Sequence, residues 1–383
     1  MKIAVVCDSF KGSLTSKDAC AAVKDGLLRC NKNFEVLSLP FADGGEGTSR
    51  CFYDILGGQL RKAAVHDPLL REITAEYTVL PDGTAVIDVA SASGLTLLKS
   101  SERDAVKVSS LGSGELICDA AEHGAKHIIL GLGGSATTDA GTGILYALGM
   151  RFFSEDGVEV LPDGQNMIRV KKIRRTENFE RFKDIKFTLA CDVTNPLCGE
   201  NGAAYVFSPQ KGASKNDVKL LDDGLRNIGE IFEKASGKKI INLPGAGAAG
   251  GIGGGLSAFL NCELQSGFDV LARAASLEDK IRRSDAVITG EGKTDRQTLF
   301  GKLPKRVSDI AERFGVPCIL LSGDVENDIS AEKLGVCEIH KIKEDGISLE
   351  HCMKNAASLL SERAFAIGKD SKIINKQYSR KQE

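Results

Sequence analysis

Short apolar runs alternate with longer stretches of helical spacing along this chain, and the runs stop in glycine-rich loops. Lys2 to Cys7 (KIAVVC) is a continuous apolar run, as expected of a parallel strand covered on both faces. Thr15 with Asp18 then gives a helix-start signal, and Ala19, Ala22, Val23 and Leu27 follow at helical spacing. Phe34 to Leu39 is the next strand, stopped by Pro40. These elements predict a right-handed βαβ unit whose loops open at the carboxyl ends of its strands, with Asp8 and Asp43 on one rim.

The pattern changes near Leu60. Ile73 to Leu80 and Thr84 to Val89 flank Asp82-Gly83 and predict a hairpin. Helix, strand and helix follow, with His127 to Gly131 running into GGSATTDAG and an apolar helix to Leu148. Phe152 to Phe182 is polar and irregular, as surface hairpins and loops are. Lys186 to Cys191 is another buried strand, Ala213 to Ala235 has helical periodicity, and PGAGAAGG precedes a further helical stretch. Alternation returns with a strand at Asp285 to Thr289, a helix at Leu303 to Phe314, a strand at Pro317 to Leu321 and a final helix from Leu349 to Ala366. The tail from Lys369 is polar and expected to fray. The early and late stretches read alike, so the expected class is α/β, with one doubly wound domain built from both chain ends and a mixed domain inserted between them. The expected boundaries are 1–65 plus 280–368 for the first domain, 66–279 for the insert and 369–383 for the tail.

At 383 residues the chain is long enough for two or three domains. A net charge of -2 leaves no electrostatic footprint for nucleic acid. No apolar run approaches the roughly 18 residues of a membrane span, and Lys2 to Cys7 enters a strand at once without signal-peptide grammar, so a cytoplasmic location is expected. The 11 cysteines are odd in number and scattered, without a CxxC pair, which reads as thiols in a reducing compartment rather than a zinc site. His123 and His127 straddle a glycine expected to end a helix, and the histidines show no metal or triad spacing.

The loops carry the chemistry, since bare amides suit phosphate oxygens and carboxylates suit metal ions. In DSFKGS, Asp8 reads as a base or substrate ligand, Lys11 as a phosphate neutraliser and Gly12 as a point of close backbone approach; a capped βα turn is the bland alternative. In ADGGEGT, Asp43 and Glu46 alternate with Gly44, Gly45 and Gly47 at a strand end. GGSATTDAG lacks both the P-loop and the dinucleotide fingerprint. Gly133, Gly134, Ser135 and Thr137 are nevertheless expected to present amides and hydroxyls at a helix start, an anion site. PGAGAAGG offers the same, or tight helix packing. Glu291 and Asp295 flank Lys293 in TGEGKTD, as ligands of a magnesium ion do. Asp192, directly after a buried strand, reads as a metal ligand, a base or a cap.

Taken in order, DSFKGSL, PFADGGEGT, GGSAT, CDVTNPLCG with PQKGA, PGAGAAGG and ITGEGKTDRQTLFGK resemble the successive signature blocks of the glycerate kinase family of bacterial glycerate 2-kinase type, from Met1 to about Ile367. The resemblance implies ATP-dependent phosphoryl transfer to D-glycerate, giving 2-phosphoglycerate or 3-phosphoglycerate. It also implies a flavodoxin-like domain from both termini, a second α/β domain, and an active site in the cleft between them. ATP and magnesium are the implied cofactors and D-glycerate the partner, with no nucleic acid or membrane and with self-association left open. Carried onto this chain, the resemblance assigns Lys11 to phosphate or substrate carboxylate, and Ser9, Gly12, Gly44, Gly45 and Glu46 to substrate or nucleotide. It assigns Glu291 and Asp295 to magnesium, Lys211 and Lys293 to phosphate, and Arg71 to the glycerate carboxylate. Asp192 is the candidate for orienting or deprotonating the attacking hydroxyl, with Asp43 next and Asp8 also among the catalytic candidates. The chain departs from the pattern at Cys7, where proline is common, at Thr138, where asparagine is usual, and at Ala140 and Leu70, where glycine is usual; alanine enters φ > 0 less readily. Two other readings compete. A nicotinamide-dependent hydroxy-acid dehydrogenase needs a dinucleotide fingerprint that the chain lacks, and a non-catalytic nucleotide sensor would lose acids that the chain keeps.

Overall fold

A computed structural model of the chain describes residues 1–42, 44–160, 163–344 and 346–380. It comprises two compact units, Met1–Asp43 with Leu271–Glu383, and Gly44–Val270. The amino-terminal segment contributes strands β1 (Lys2–Cys7) and β2 (Glu35–Pro40). The second unit contributes β3 (Gln59–His66), β4 (Glu72–Val79), β5 (Ala85–Asp88), β6 (His127–Gly131), β7 (Met150–Phe153), β8 (Lys172–Arg175), β9 (Lys186–Ala190) and β10 (Asn261–Gln265). The returning segment adds β11 (Ala286–Gly290), β12 (Lys293–Thr294), β13 (Cys318–Ser322), β14 (Asp324–Val325) and β15 (Glu338–Lys341).

In the first unit a sheet runs in the order β15-β13-β11-β1-β2, parallel at every pairing. Ile3 to Cys7 are buried without alternation, which explains why β1 is apolar at every position. Ile3, Val5 and Cys7 pack with Val23 and Leu27 of the helix Ser16–Cys30 and with Leu360 and Ala364 of the helix Ala356–Asp370. Those two helices meet closely at Gly26, where a Cβ would come 2.0 Å from the Ser361 carbonyl oxygen. Thr15 caps the first of them, accepting from the Asp18 amide. The helix Leu303–Arg313 packs on β11 and β13 through a buried stripe that includes Val307 and Ala311.

Two expectations fail at the carboxyl end of the chain. The single final helix is two, Leu349–Lys354 and Ala356–Asp370, parted at Asn355 (φ -109°, ψ 17°), whose amide and side-chain nitrogen both donate to the His351 carbonyl oxygen. Within the described residues the tail is helical from Lys372 to Arg380 rather than frayed, anchored by Ile374 in the first unit's core.

The second unit's sheet runs β10-β9-β6-β5-β4-β3 and is mixed, parallel from β10 to β5 and antiparallel beyond. The β4–β5 hairpin turns at Asp82-Gly83 as the pattern predicts; the Asp82 carboxylate takes the Thr84 amide, and Gly83 has φ +82°. Because β3 pairs with β4 along its whole length, the segment from Gly44 to Val65, grouped with the chain ends on pattern alone, lies in the second unit. The irregular stretch after Phe152 contains the small β7–β8 pair. Among the described residues no helix is long and apolar enough to cross a membrane.

Candidate active site

In the first unit the chain goes from β1 outward to β2 on one side, and later from β11 outward to β13 and β15 on the other. The loops leaving β1 and β11 therefore part from each other at their carboxyl ends, the place where open α/β sheets leave a crevice. A cavity of about 670 Å³ lies there, and Asp8, Ser9, Lys11, Glu291, Lys293 and Asp295 all line it. Chain segments almost 300 residues apart in sequence are thus joined by one parallel pairing, Cys7 beside Gly290.

The DSFKGS loop is closed by reciprocal backbone bonds between Phe10 and Leu14, which leave Lys11 and Gly12 at its tip. Gly12 has φ +79°, a conformation that favours glycine. The Ser9 amide donates to Asp8 Oδ1 at 2.6 Å. The Lys11 side chain is exposed and makes no ion pair with another described residue.

After β11, the short parallel pair β12–β14 holds the TGEGKTD loop against the strand end of β13. The Thr298 hydroxyl donates to Glu291 Oε1 at 2.6 Å. Burial pushes the Glu291 carboxyl above its ordinary range, and Thr298, Thr294 and Lys302 offset this only in part. Asp295 caps the short helix Arg296–Leu299, accepting at Oδ1 from the Gln297 amide and from Lys302 Nζ at 3.1 Å. Burial acts to raise the Asp295 carboxyl, but Lys302 and the amides outweigh it and hold the group below its usual range. Lys293 is held by Glu326 Oε1 at 2.8 Å. Lys302, Asp324 and Lys343 complete the charged lining, and Lys343 donates to Asp324 Oδ2.

A buried carboxylate with a raised pKa beside a second, ionised one is a donor set suited to a cation. Among the described residues, however, no group of three or more His, Cys, Asp or Glu side chains gathers as a metal cage. Glu291 and Asp295 fit a magnesium ion of the sort that takes one or two carboxylates and draws its other ligands from phosphate and water.

The second unit builds another rim. Gly131 and Ala190 are in register in the parallel pair β6–β9, so Gly133 to Ser135 and Cys191-Asp192 leave the same sheet edge. The 44–47 loop lies across it: the Gly133 amide donates to the Gly44 carbonyl oxygen, and a Cβ on Gly133 would come 2.4 Å from Gly45 Cα. Gly44, Gly45, Gly133, Gly134 and the exposed Asp192 are thereby brought to one edge, and Glu46 accepts there from the Thr96 hydroxyl. Asp43 lies outside the described residues.

The amides of these loops have internal partners. Asp88, the last residue of β5, accepts from the Gly47 and Ser49 amides at 2.9 and 3.0 Å. Burial pushes its carboxyl up to about 7, the amides of Ser49 and Gly47 opposing and the Glu46 charge adding. In GGSATTDAG the helix begins only at Thr142 and is six residues long. Asp139 takes donors from two loops: the Ser110 amide and hydroxyl at 2.9 and 2.7 Å, and, at the start of this helix, the Gly141 and Gly143 amides at 3.0 and 3.4 Å. The amides at this helix start thus serve the loop's own aspartate, which none of Gly133, Gly134, Ser135 and Thr137 does. Ser135 and Thr137 face inward too, where Lys211 Nζ donates to Ser135 Oγ and to the Thr137 carbonyl oxygen at 2.7 Å. Lys211 is 4% exposed, and burial draws its ammonium down to about 8 against the pull of Asp139.

Between the two readings of PGAGAAGG the structure favours packing. A Cβ on Gly250 would come 2.0 Å from the Thr137 carbonyl oxygen, and one on Gly247 2.3 Å from that of Pro196. Arg71 sits in the β3–β4 turn, its Nε on Asp67 Oδ2 and a terminal nitrogen on Glu102 Oε1. Leu70 in the same turn has φ +59° and Ala140 has φ +53°, so both positions where the family pattern has glycine adopt the left-handed conformation.

Sequence reasoning missed Asp88, Asp324, Lys302 and Lys343. Asp88 and Asp324 end or follow buried strands, the signal that singled out Asp8 and Asp192. Lys302 closes the ITGEGKTDRQTLFGK block, whereas nothing local marks Lys343.

Strand-end lysines and carboxylates around a cavity, over a parallel sheet, define an α/β protein with a charged strand-end site. A family model described as Glycerate kinase family matches residues 3–372. The chain belongs to the glycerate kinase family, which sets aside the dehydrogenase and sensor readings. It is similar to a glycerate kinase of Halalkalibacterium halodurans, 38% identical over 364 residues that cover 94% of this chain and 96% of the relative. Similarity to the glycerate 2-kinase of Escherichia coli is 40% identity over 330 residues, 86% of this chain and 87% of that one. A crystal structure of a candidate glycerate kinase 2 from Salmonella typhimurium LT2 superposes with a TM-score of 0.86 at 34% identity, covering 100% of both chains.

Proposed function

We propose that this chain transfers the γ-phosphoryl group of ATP to the 2-hydroxyl of D-glycerate, giving 2-phosphoglycerate and ADP. The observation that carries the reading is the first unit's strand-end cavity, where Lys11 and Lys302 stand with Asp8, Glu291 and Asp295, in a family member whose Escherichia coli relative is named glycerate 2-kinase. Phosphoryl transfer asks little covalent chemistry of a protein and much positioning and charge stabilisation. Lys11, exposed at the tip of a closed loop, is suited to meet phosphate oxygens. Glu291 and Asp295 would hold magnesium, which when bound spreads the charge of the phosphates. Asp192 orients or takes the proton of the attacking hydroxyl as the new O–P bond forms and the bond to the ADP oxygen breaks, with Asp43 the second candidate for that role. The all-parallel order β2-β1-β11-β13-β15 supports reading the first unit as a flavodoxin-like doubly wound domain.

Phosphorus NMR of a reaction of ATP, magnesium and D-glycerate tests the proposal. ADP and 2-phosphoglycerate are expected; 3-phosphoglycerate would overturn the assigned hydroxyl, and no ADP would overturn the reaction. Asp192→Asn is expected to lower kcat by roughly 10²-fold. An unchanged kcat removes Asp192 from the role.

A further inference from the structure

The lining of the first unit's cavity is chemically mixed. Lys11, Lys293, Lys302 and Lys343 line it together with Asp8, Glu291, Asp295 and Asp324. Part of the wall is apolar: Phe10 and Ile342 are buried in it, and Leu349 and Met353, one helical turn apart, line it from the helix Leu349–Lys354. Leu349 is 60% exposed and Met353 37%, so two large apolar side chains stand open to solvent in a cavity that also holds lysines. The Lys11–Gly12 loop tip approaches this apolar wall, since a Cβ on Gly12 would come 2.8 Å from Met353 Cε.

A three-carbon hydroxy acid uses neither the apolar wall nor most of about 670 Å³. A nucleotide uses both, because its base is a flat ring with apolar faces and its phosphates carry several negative charges. We propose that the first unit's cavity is the nucleotide subsite, with the adenine ring of ATP against Leu349, Met353, Phe10 and Ile342 and the phosphates toward Lys11, Lys302 and Lys343. The assignment rests on the kinase reading for the identity of the nucleotide. It adds the segment 349–353, which none of the glycine-rich motifs includes, to the residues that recognise it.

The test separates the two ideas. ADP binding to the full chain is measured by calorimetry without glycerate, and the KM values for ATP and D-glycerate are measured by coupled assay, for wild type, Leu349→Asp and Leu349→Met. Leu349 is mostly exposed, so the variants should fold, and an unchanged melting temperature checks this. Leu349→Asp is expected to weaken ADP binding and raise the KM for ATP by about tenfold, while the KM for glycerate stays unchanged and Leu349→Met keeps wild-type values. A raised KM for glycerate with unchanged ADP binding overturns the assignment, as does an aspartate variant that binds ADP like wild type. If wild type makes no phosphoglycerate yet binds ADP, and Leu349→Asp loses that binding, the kinase reading falls and the nucleotide subsite stands.

Discussion

The strand ends of the two units carry glycine-rich loops that look alike in sequence, and their hydrogen-bond donors go to different places. In the second unit the amides turn inward to two buried carboxylates, Asp88 and Asp139, and even a lysine, Lys211, spends its ammonium inside the loop. In the first unit short backbone pairings, Phe10 with Leu14 and β12 with β14, satisfy the main chain and leave Lys11, Glu291 and Asp295 facing a cavity. A glycine-rich loop with an acid therefore signals an anion-binding backbone, but the anion can be one of the protein's own carboxylates. What differs is the donor set: Asp139 takes three amides and a hydroxyl, whereas Glu291 takes the Thr298 hydroxyl and Asp295 the Gln297 amide and Lys302 while both line the cavity.

The sharpest way to break that contrast is to remove an internal anion. Asp139→Ala leaves the Ser110 and Gly141 donors buried without their acceptor, and the expected loss of stability is about 3–5 kcal/mol by urea denaturation. If the loss were under about 1 kcal/mol, the loop would not be organised from within. Lys11→Ala is the counterpart in the first unit: kcat/KM for ATP is expected to fall by roughly 10²-fold, with stability changed by no more than about 0.5 kcal/mol. A variant with normal kinetics and a lower melting temperature would reverse the roles given to the two regions.

Asp88 sharpens the comparison through pH. Its folded pKa, raised to about 7 from 3.8, means that the native state binds the extra proton between those values. Its stabilising contribution is therefore fully present below the unfolded value and is lost as pH rises through about 7, when a buried charge must be carried. Asn at this position does not titrate. The stability of wild type minus that of Asp88→Asn should fall by on the order of 1–2 kcal/mol from pH 5 to pH 8 and then level off. A difference that is flat in pH, measured by thermal melts in matched buffers, would show that burial does not control this carboxyl.

What was legible in the sequence followed from local chemistry. The β1 run, the Thr15 cap and the Asp82-Gly83 turn each carry their signal within a few residues, and the structure forms all three. The break at Asn355 and the helix Lys372–Arg380 were not legible, because one is a local departure from helical backbone at a single residue and the other depends on docking Ile374. Lys343 joins the cavity only through the parallel order of strands distant in sequence, whereas Lys302 lies in the same block as Asp295 and bonds to it. The resemblance alone assigns Lys211 to phosphate; lysine is seldom buried, and no neighbouring residue announces the pocket that encloses it.

Leu70 offers the smallest effect and a clean sign. It sits in the β3–β4 turn with φ +59°, held by its amide to the Asp67 carbonyl oxygen, and its side chain is half exposed. A left-handed leucine costs roughly 1–2 kcal/mol, which glycine avoids. Glycine in turn raises the entropy lost on folding, by roughly 0.5–1 kcal/mol. The net expectation for Leu70→Gly is a gain of up to about 1 kcal/mol in the stability of the second unit, with Arg71 keeping its carboxylate partners and kcat unchanged. A loss of stability would mean that the leucine side chain packs more strongly than its exposure allows; a change in kcat would tie this turn to the chemistry and move the division between structural and catalytic loops.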